Sequence, residues 1–166
     1  MAESTPQPRP ADAILLAHGH RYEDFTIGRV FEHAQRKTVL ESDNALFTTL
    51  TLHYNPLYLD KTHAAALGHR DIVVNPLLVF NLVFGLSVED LSEGGGPFLG
   101  IEELEYGATV YAGDTLRGRS TVISARLSNK HEHYGIVMWE TEGFNQKDER
   151  VVKYHRSNLV KRGAVK

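Results

Sequence analysis

Between His53 and Asp60 the chain sets an imidazole, a phenol and a carboxylate around an Asn-Pro pair: His53-Tyr54-Asn55-Pro56-Leu57-Tyr58-Leu59-Asp60. An imidazole can act as a general base near neutral pH. A phenol, with an ordinary pKa of about 10, is a poor base there but can donate a proton or a hydrogen bond to a developing oxyanion. His53 and Tyr58 are therefore the candidates for acid–base chemistry. The plainer readings are a histidine satisfied by backbone beside a loop and an aromatic ring that only fills space. Asp60 is the nearest carboxylate, but it also sits where a helix N-cap belongs, before Lys61-Thr-His-Ala-Ala-Ala-Leu67, and capping needs no chemistry. Asn55 shapes the loop, because a residue before proline avoids the α region.

Other polar clusters carry less. His131 and His133 stand two apart on an expected strand and so share a face. Two imidazoles make an incomplete zinc site, and His18 with His20 is no better, so no metal is expected. Gly94-Gly95-Gly96 precedes strand-forming residues. Without a helix N-terminus behind it, it reads as a flexible loop and not a phosphate cradle.

The element that must position these groups is the run from Asn75 to Asp90. Asn75 suits an N-cap and Pro76 the first helical position, where its missing N–H costs nothing. Leu77, Leu78, Val79, Phe80, Leu82, Val83, Phe84, Leu86, Val88 and Leu91 leave almost no polar face, which predicts a buried central helix over 75–91. It is too short to span a bilayer. Ahead of it, Val30 to Leu40 predicts an edge strand with an irregularity. Ser42-Asp-Asn predicts the cap of a short helix over 45–50, and Asp60 and Gly68 the bounds of another. Beyond the glycines, extended segments are expected at 98–106, 107–111, 115–128, 131–144 and 151–160, with turns at Gly113-Asp114 and Asn129-Lys130 and a hairpin loop over 145–149. The expectation is an α+β fold, one curved antiparallel sheet wrapped around one helix.

The chain has 166 residues, enough for one domain with a real core. A formal net charge of −3 argues against a nucleic-acid footprint, and the absence of cysteine excludes thiol catalysis and disulfides. Met1 to Pro10 is polar and proline-bearing, so residues 1–12 are expected to be a disordered tail, 13–162 the domain and 163–166 a short tail. The apolar Ala13–Ala17 is either a docking segment or a turn of helix. With no secretory pattern at the start, the expected compartment is the cytoplasm.

Element order and several short motifs together resemble the hot-dog fold, and within it the MaoC-like, (R)-specific enoyl-CoA hydratase family, in particular its mesaconyl-CoA hydratase (β-methylmalyl-CoA dehydratase) branch. The motifs are Asp43-Asn44, Asn55-Pro56-Leu57, Asp60, Val74-Asn75, Ala112-Gly113-Asp114-Thr115-Leu116 and Gly143-Phe144-Asn145-Gln146. The resemblance implies reversible hydration of an α,β-unsaturated acyl thioester of coenzyme A or acyl carrier protein, without cofactor, in a homodimer or dimer-based oligomer. The family motif is Asp-x-Asn-Pro-x-His. Here His53 stands at the aspartate and Tyr58 at the histidine, with Asp60 as a substitute carboxylate. The family's central helix is usually entered by His-Gly, whose glycine N–H binds the thioester oxygen. Asn75-Pro76 removes that donor and leaves the Leu77 N–H or the Asn75 amide to replace it. The resemblance implies roles in this order: His53 as base, Tyr58 as proton donor, and Asn55, Asn75 and Leu77 at the substrate. A tailoring enzyme with altered chemistry (an isomerase or cyclase) and a non-catalytic partner subunit of an active hydratase are the competing readings, since a fold does not fix a function.

Overall fold

The computed structural model describes residues 19–163. The segment Ala13–Ala17, His18, the expected N-terminal tail and the end beyond Gly163 lie outside the described residues. A six-stranded antiparallel sheet has the order β1-β4-β5-β6-β3, with β2 also paired to β4. The strands are β1 (Val30–Glu32), β2 (Lys37–Thr38), β3 (Phe98–Tyr106), β4 (Thr115–Leu127), β5 (Tyr134–Phe144) and β6 (Arg150–Lys161). The helices are α1 (Glu41–Leu50), α2 (Lys61–Ala66), α3 (Pro76–Leu86) and α4 (Val88–Leu91). Among the described residues no helix is long and apolar enough to cross a membrane.

Along β4, β5 and β6 buried and partly exposed residues alternate, which turns one sheet face toward α3. Leu78, Val79, Val83 and Leu86 of α3 pack there with Val39, Leu116, Val152 and Tyr154. Each fully buried aliphatic side chain contributes roughly 1.5–3 kcal/mol. The helix can lie this close because of Gly143, where a Cβ would stand 2.5 Å from Val83 Cγ2 and 2.9 Å from Val152 Cγ1. Phe25, Phe31, Leu91, Val122 and Trp139 extend the core beyond the end of α3.

The expected edge-strand irregularity is the break between β1 and β2, both paired to β4. Other expectations need correction. The central helix is not continuous over 75–91. It breaks at Ser87, whose N–H and Oγ both bond the Phe84 carbonyl, at 3.1 and 2.7 Å. There the buried Arg156 donates to Ser87 Oγ at 2.7 Å. Nor is α3 covered all round, since Leu77 is 41% exposed and Asn81 and Gly85 lie on the same open face. Helix α1 begins earlier than expected, at Glu41, because Asp43 reaches back to accept the Leu40 N–H at 3.0 Å. Residues 107–111 form no strand and meet Val73 only through a single bridge at Tyr111. Strand β5 begins at Tyr134, which leaves His131 and His133 exposed in the preceding turn and off any strand face.

Candidate active site

The site forms where α1, the 53–60 loop and the start of α3 meet. Asn44 and Thr48 stand one helical turn apart on the inner face of α1 and are buried. Asn44 Nδ2 donates to the Tyr58 and Val73 carbonyls at 3.0 and 3.3 Å, and its Oδ1 accepts the Asn75 N–H at 2.8 Å. One amide thus ties the loop to the entry of α3. Asn55 Oδ1 accepts the Leu57 N–H at 3.0 Å and starts a 3-10 turn over Pro56–Tyr58. Asp60 is exposed and caps α2, accepting from Thr62 N at 2.8 Å and His63 N at 3.2 Å.

Asn75 is wholly buried, and its hydrogen bonds decide what the site can do. Its Oδ1 accepts the Leu77 N–H at 3.0 Å. Its Nδ2 donates to Thr48 Oγ1 at 3.2 Å and to His53 Nδ1 at 3.1 Å. The next N–H of the helix, on Leu78, bonds the Asn75 carbonyl at 2.9 Å. The backbone N–H on which the oxyanion reading rested is therefore occupied at Leu77 and absent at Pro76, and both Asn75 amide protons are used as well. The bond to His53 also fixes a tautomer. A carboxamide nitrogen only donates, so Nδ1 must accept and the neutral ring carries its proton on Nε2. As held, His53 offers an N–H donor and not a free base. Its ring meets Tyr58 edge-on, with centroids 5.3 Å apart.

Tyr58 lines two cavities. One, of about 160 Å³, also touches Glu41, Asn44 and Asp71. The other, of about 200 Å³, lies against Pro76 and Val79 at the start of α3, with Val110 and Val151 as further walls. Into this second, mostly apolar space come Tyr58, Tyr106 and His69. Burial, and secondarily the nearby Tyr58, push the Tyr106 hydroxyl above the usual phenol range, so it stays protonated. His69 follows Gly68, which ends α2 at φ +85°, and its Nδ1 lies 3.1 Å from the Tyr111 hydroxyl. Tyr111 is held by its N–H bond to the buried Asp114 at 2.8 Å, and Arg70 covers its ring at 4.3 Å. The structure thus joins His53, Tyr58 and Asn75 in one network and leaves Asp60 outside it. Sequence reasoning missed Thr48, His69 and Tyr106, which belong to no local motif. It read Asn44 as a helix-start residue only.

Set against known proteins, residues 12–165 match a family model described as mesaconyl-CoA hydratase. The chain is 38% identical over 144 residues to the β-methylmalyl-CoA dehydratase of Chloroflexus aurantiacus, covering 87% of this chain and 41% of that protein. It is 35% identical over 145 residues to the mesaconyl-CoA hydratase of Haloarcula hispanica, covering 87% and 40%. It therefore spans about two fifths of the length of these relatives. Among solved structures, a putative MaoC domain protein dehydratase from C. aurantiacus superposes with a TM-score of 0.84 at 35% identity, over 90% of this chain and 42% of that one. A Mycobacterium tuberculosis protein with a double hotdog fold matches in fold at a TM-score of 0.77 and 22% identity, over 88% and 45%.

Proposed function

The chain belongs to the mesaconyl-CoA hydratase family of MaoC-like, hot-dog-fold proteins, and from that premise we propose that it reversibly hydrates a short α,β-unsaturated acyl-CoA thioester. The observation that carries this reading is the cavity of about 200 Å³ beside the start of α3, apolar except for proton-bearing side chains. Its size is enough to seat a short acyl group.

Hydration needs a donor for the charge that develops on the thioester oxygen, and such donors work best when already in place. With the α3 amides engaged, side chains must serve. Tyr58 lines the cavity and carries the hydroxyl for this role. His53 stands behind it as a positioning group and N–H donor, kept in register by Asn75. Asn55 holds the turn that presents Tyr58. Asp60 contributes the cap of α2 and no proton transfer. The direct test is to incubate the purified chain with mesaconyl-CoA and β-methylmalyl-CoA, the compounds in its relatives' names, and follow gain or loss of one water by mass spectrometry. Absence of both reactions, with other short enoyl-CoA thioesters also untouched, refutes the proposal.

The same proposal includes a homodimer. Strand β3 lies at the sheet edge, and on it Phe98, Leu99, Leu104 and Tyr106 are 52, 48, 38 and 45% exposed. Glu102, Glu103 and Glu105 share this strand with them, but its outer edge leaves backbone groups open to pairing with another strand, and the open face of α3 would gain cover from a second copy. Sedimentation at micromolar concentration should give a dimer, and Leu104→Lys should weaken it. A stable wild-type monomer contradicts this part of the reading.

A further inference from the structure

We propose that His69, outside the family motif, is the catalytic base of this site, acting across the cavity from the hydroxyls of Tyr58 and Tyr106. This rests on the hydration reading above. The site's two imidazoles are held differently. Nδ1 of His53 faces the Asn75 amide nitrogen at 3.1 Å, a partner that only donates. That bond puts the ring's own proton on Nε2 and leaves no free lone pair. Nδ1 of His69 faces the Tyr111 hydroxyl at 3.1 Å, which can accept as readily as donate. His69 can therefore keep its proton on Nδ1, hold it against Tyr111, and present an unprotonated Nε2. When Nε2 takes a second proton the Nδ1–H bond to Tyr111 is unchanged, so the ring can cycle without breaking its support. That support is firm, because Asp114 fixes the Tyr111 backbone and Arg70 covers the ring.

The cavity supplies the rest. His69, Tyr58, Tyr106 and Thr109 are its proton-bearing side chains, set among Leu57, Val79, Val110 and other apolar walls, and His69 is the one among them that can accept a proton near neutral pH. The Tyr106 phenol is protonated at neutral pH, and partial desolvation raises it further, so it remains an O–H donor. In the step that follows, Nε2 of His69 takes a proton from water while the water oxygen bonds to Cβ of the enoyl group. The C=C electron pair moves to Cα and on to the thioester oxygen, which the Tyr58 and Tyr106 hydroxyls hold by hydrogen bonds. The same proton then passes from His69 to Cα. The product carries OH on Cβ and H on Cα, and every side chain returns to its starting state.

The test compares wild type, His69→Gln and Tyr111→Phe, using 2-butenoyl-CoA for turnover and butanoyl-CoA for binding. His69→Gln should lower kcat by about 10²–10⁴-fold, the usual worth of a positioned base, with the Kd for butanoyl-CoA unchanged. Tyr111→Phe should lower kcat by less. In histidine-labelled wild type, the His69 ring resonance, assigned from its loss in His69→Gln, should shift when butanoyl-CoA is added. An unshifted resonance, an unchanged kcat in His69→Gln, or a loss confined to Kd overturns the assignment while leaving the hydration reading intact. A wild-type chain that turns over no thioester overturns both.

Discussion

Replacing Asn75 should show how much of the site one buried amide holds. Asn75→Ala removes the cap on Leu77 and the bonds to Thr48 and His53. A lost N-cap costs typically about 1 kcal/mol. A buried partner left without its hydrogen bond costs about 1–3 kcal/mol. Thr48 is fully buried, although its hydroxyl can turn to a backbone carbonyl of its own helix, so the low end applies to it. The His53 bond adds a similar amount, and the total comes to about 3 kcal/mol. For a chain of this size that is a fall in Tm of roughly 6–12 °C. Asn75→Asp is the informative companion. It keeps an oxygen for Leu77 and places negative charge at a helix N-terminus, where it is favoured, so it should recover the cap. It also replaces the donor facing His53 with an acceptor, which should move the ring proton from Nε2 to Nδ1. Chemical denaturation measures the stability, and ¹⁵N resonances of the imidazole report the tautomer. A loss below about 1 kcal/mol in Asn75→Ala, or a wild-type His53 already protonated on Nδ1, would refute the reasoning.

Other consequences follow from single side chains. Tyr58→Phe deletes one of the proposed oxyanion donors and keeps the ring, so kcat should fall about 10²–10³-fold with little change in acyl-CoA affinity. His53→Ala should reduce turnover by less than His69→Gln does; the reverse order in steady-state assays would restore His53 as the base. Gly143→Ala sets a Cβ against Val83 and Val152 and should cost about 1–3 kcal/mol in denaturant titrations. Among the described residues the buried Tyr154 hydroxyl makes no well-formed hydrogen bond, with Thr141 and Ser87 only close by, so Tyr154→Phe should be neutral or stabilising by about 1 kcal/mol near neutral pH.

Tyr154 also predicts an alkaline effect. Burial raises its hydroxyl to about 12, against the opposing Arg156 charge. An unfolded phenol titrates at about 10, so the native state holds the proton longer. Its contribution is complete below that pH and is lost as pH rises toward 12. Arg156, brought down to about 10 by burial, acts in the opposite sense over the same range. The test is therefore the difference between wild type and Tyr154→Phe, whose stability should fall less steeply. Parallel curves would contradict it.

Much of the frame is legible wherever one residue settles a local geometry. Asn75-Pro76 marks the start of α3, Asp60 and Gly68 bound α2, and Asn145 organises the β5–β6 loop by accepting from Lys147 and Glu149 N–H. The break at Ser87 is not legible in the same way. It depends on Arg156, which comes far along the chain and is buried in the fold against Ser87, Ser92 and Phe84. The site divides along the same line. His53, Asn55 and Tyr58 stand out because the Asn-Pro loop announces them. His69 and Tyr106 sit at the ends of different elements and reach the cavity only through tertiary packing. The engagement of the Leu77 N–H was hidden for a related reason: the N-cap that makes Asn75 conspicuous is the bond that occupies it.

Hydration of 2-butenoyl-CoA in ¹⁸O-labelled water by the purified wild-type chain alone tests the central claim most directly. Turnover is expected, with labelled oxygen on Cβ of a 3-hydroxyacyl-CoA product. Unchanged enoyl-CoA, or a product free of label, would contradict it.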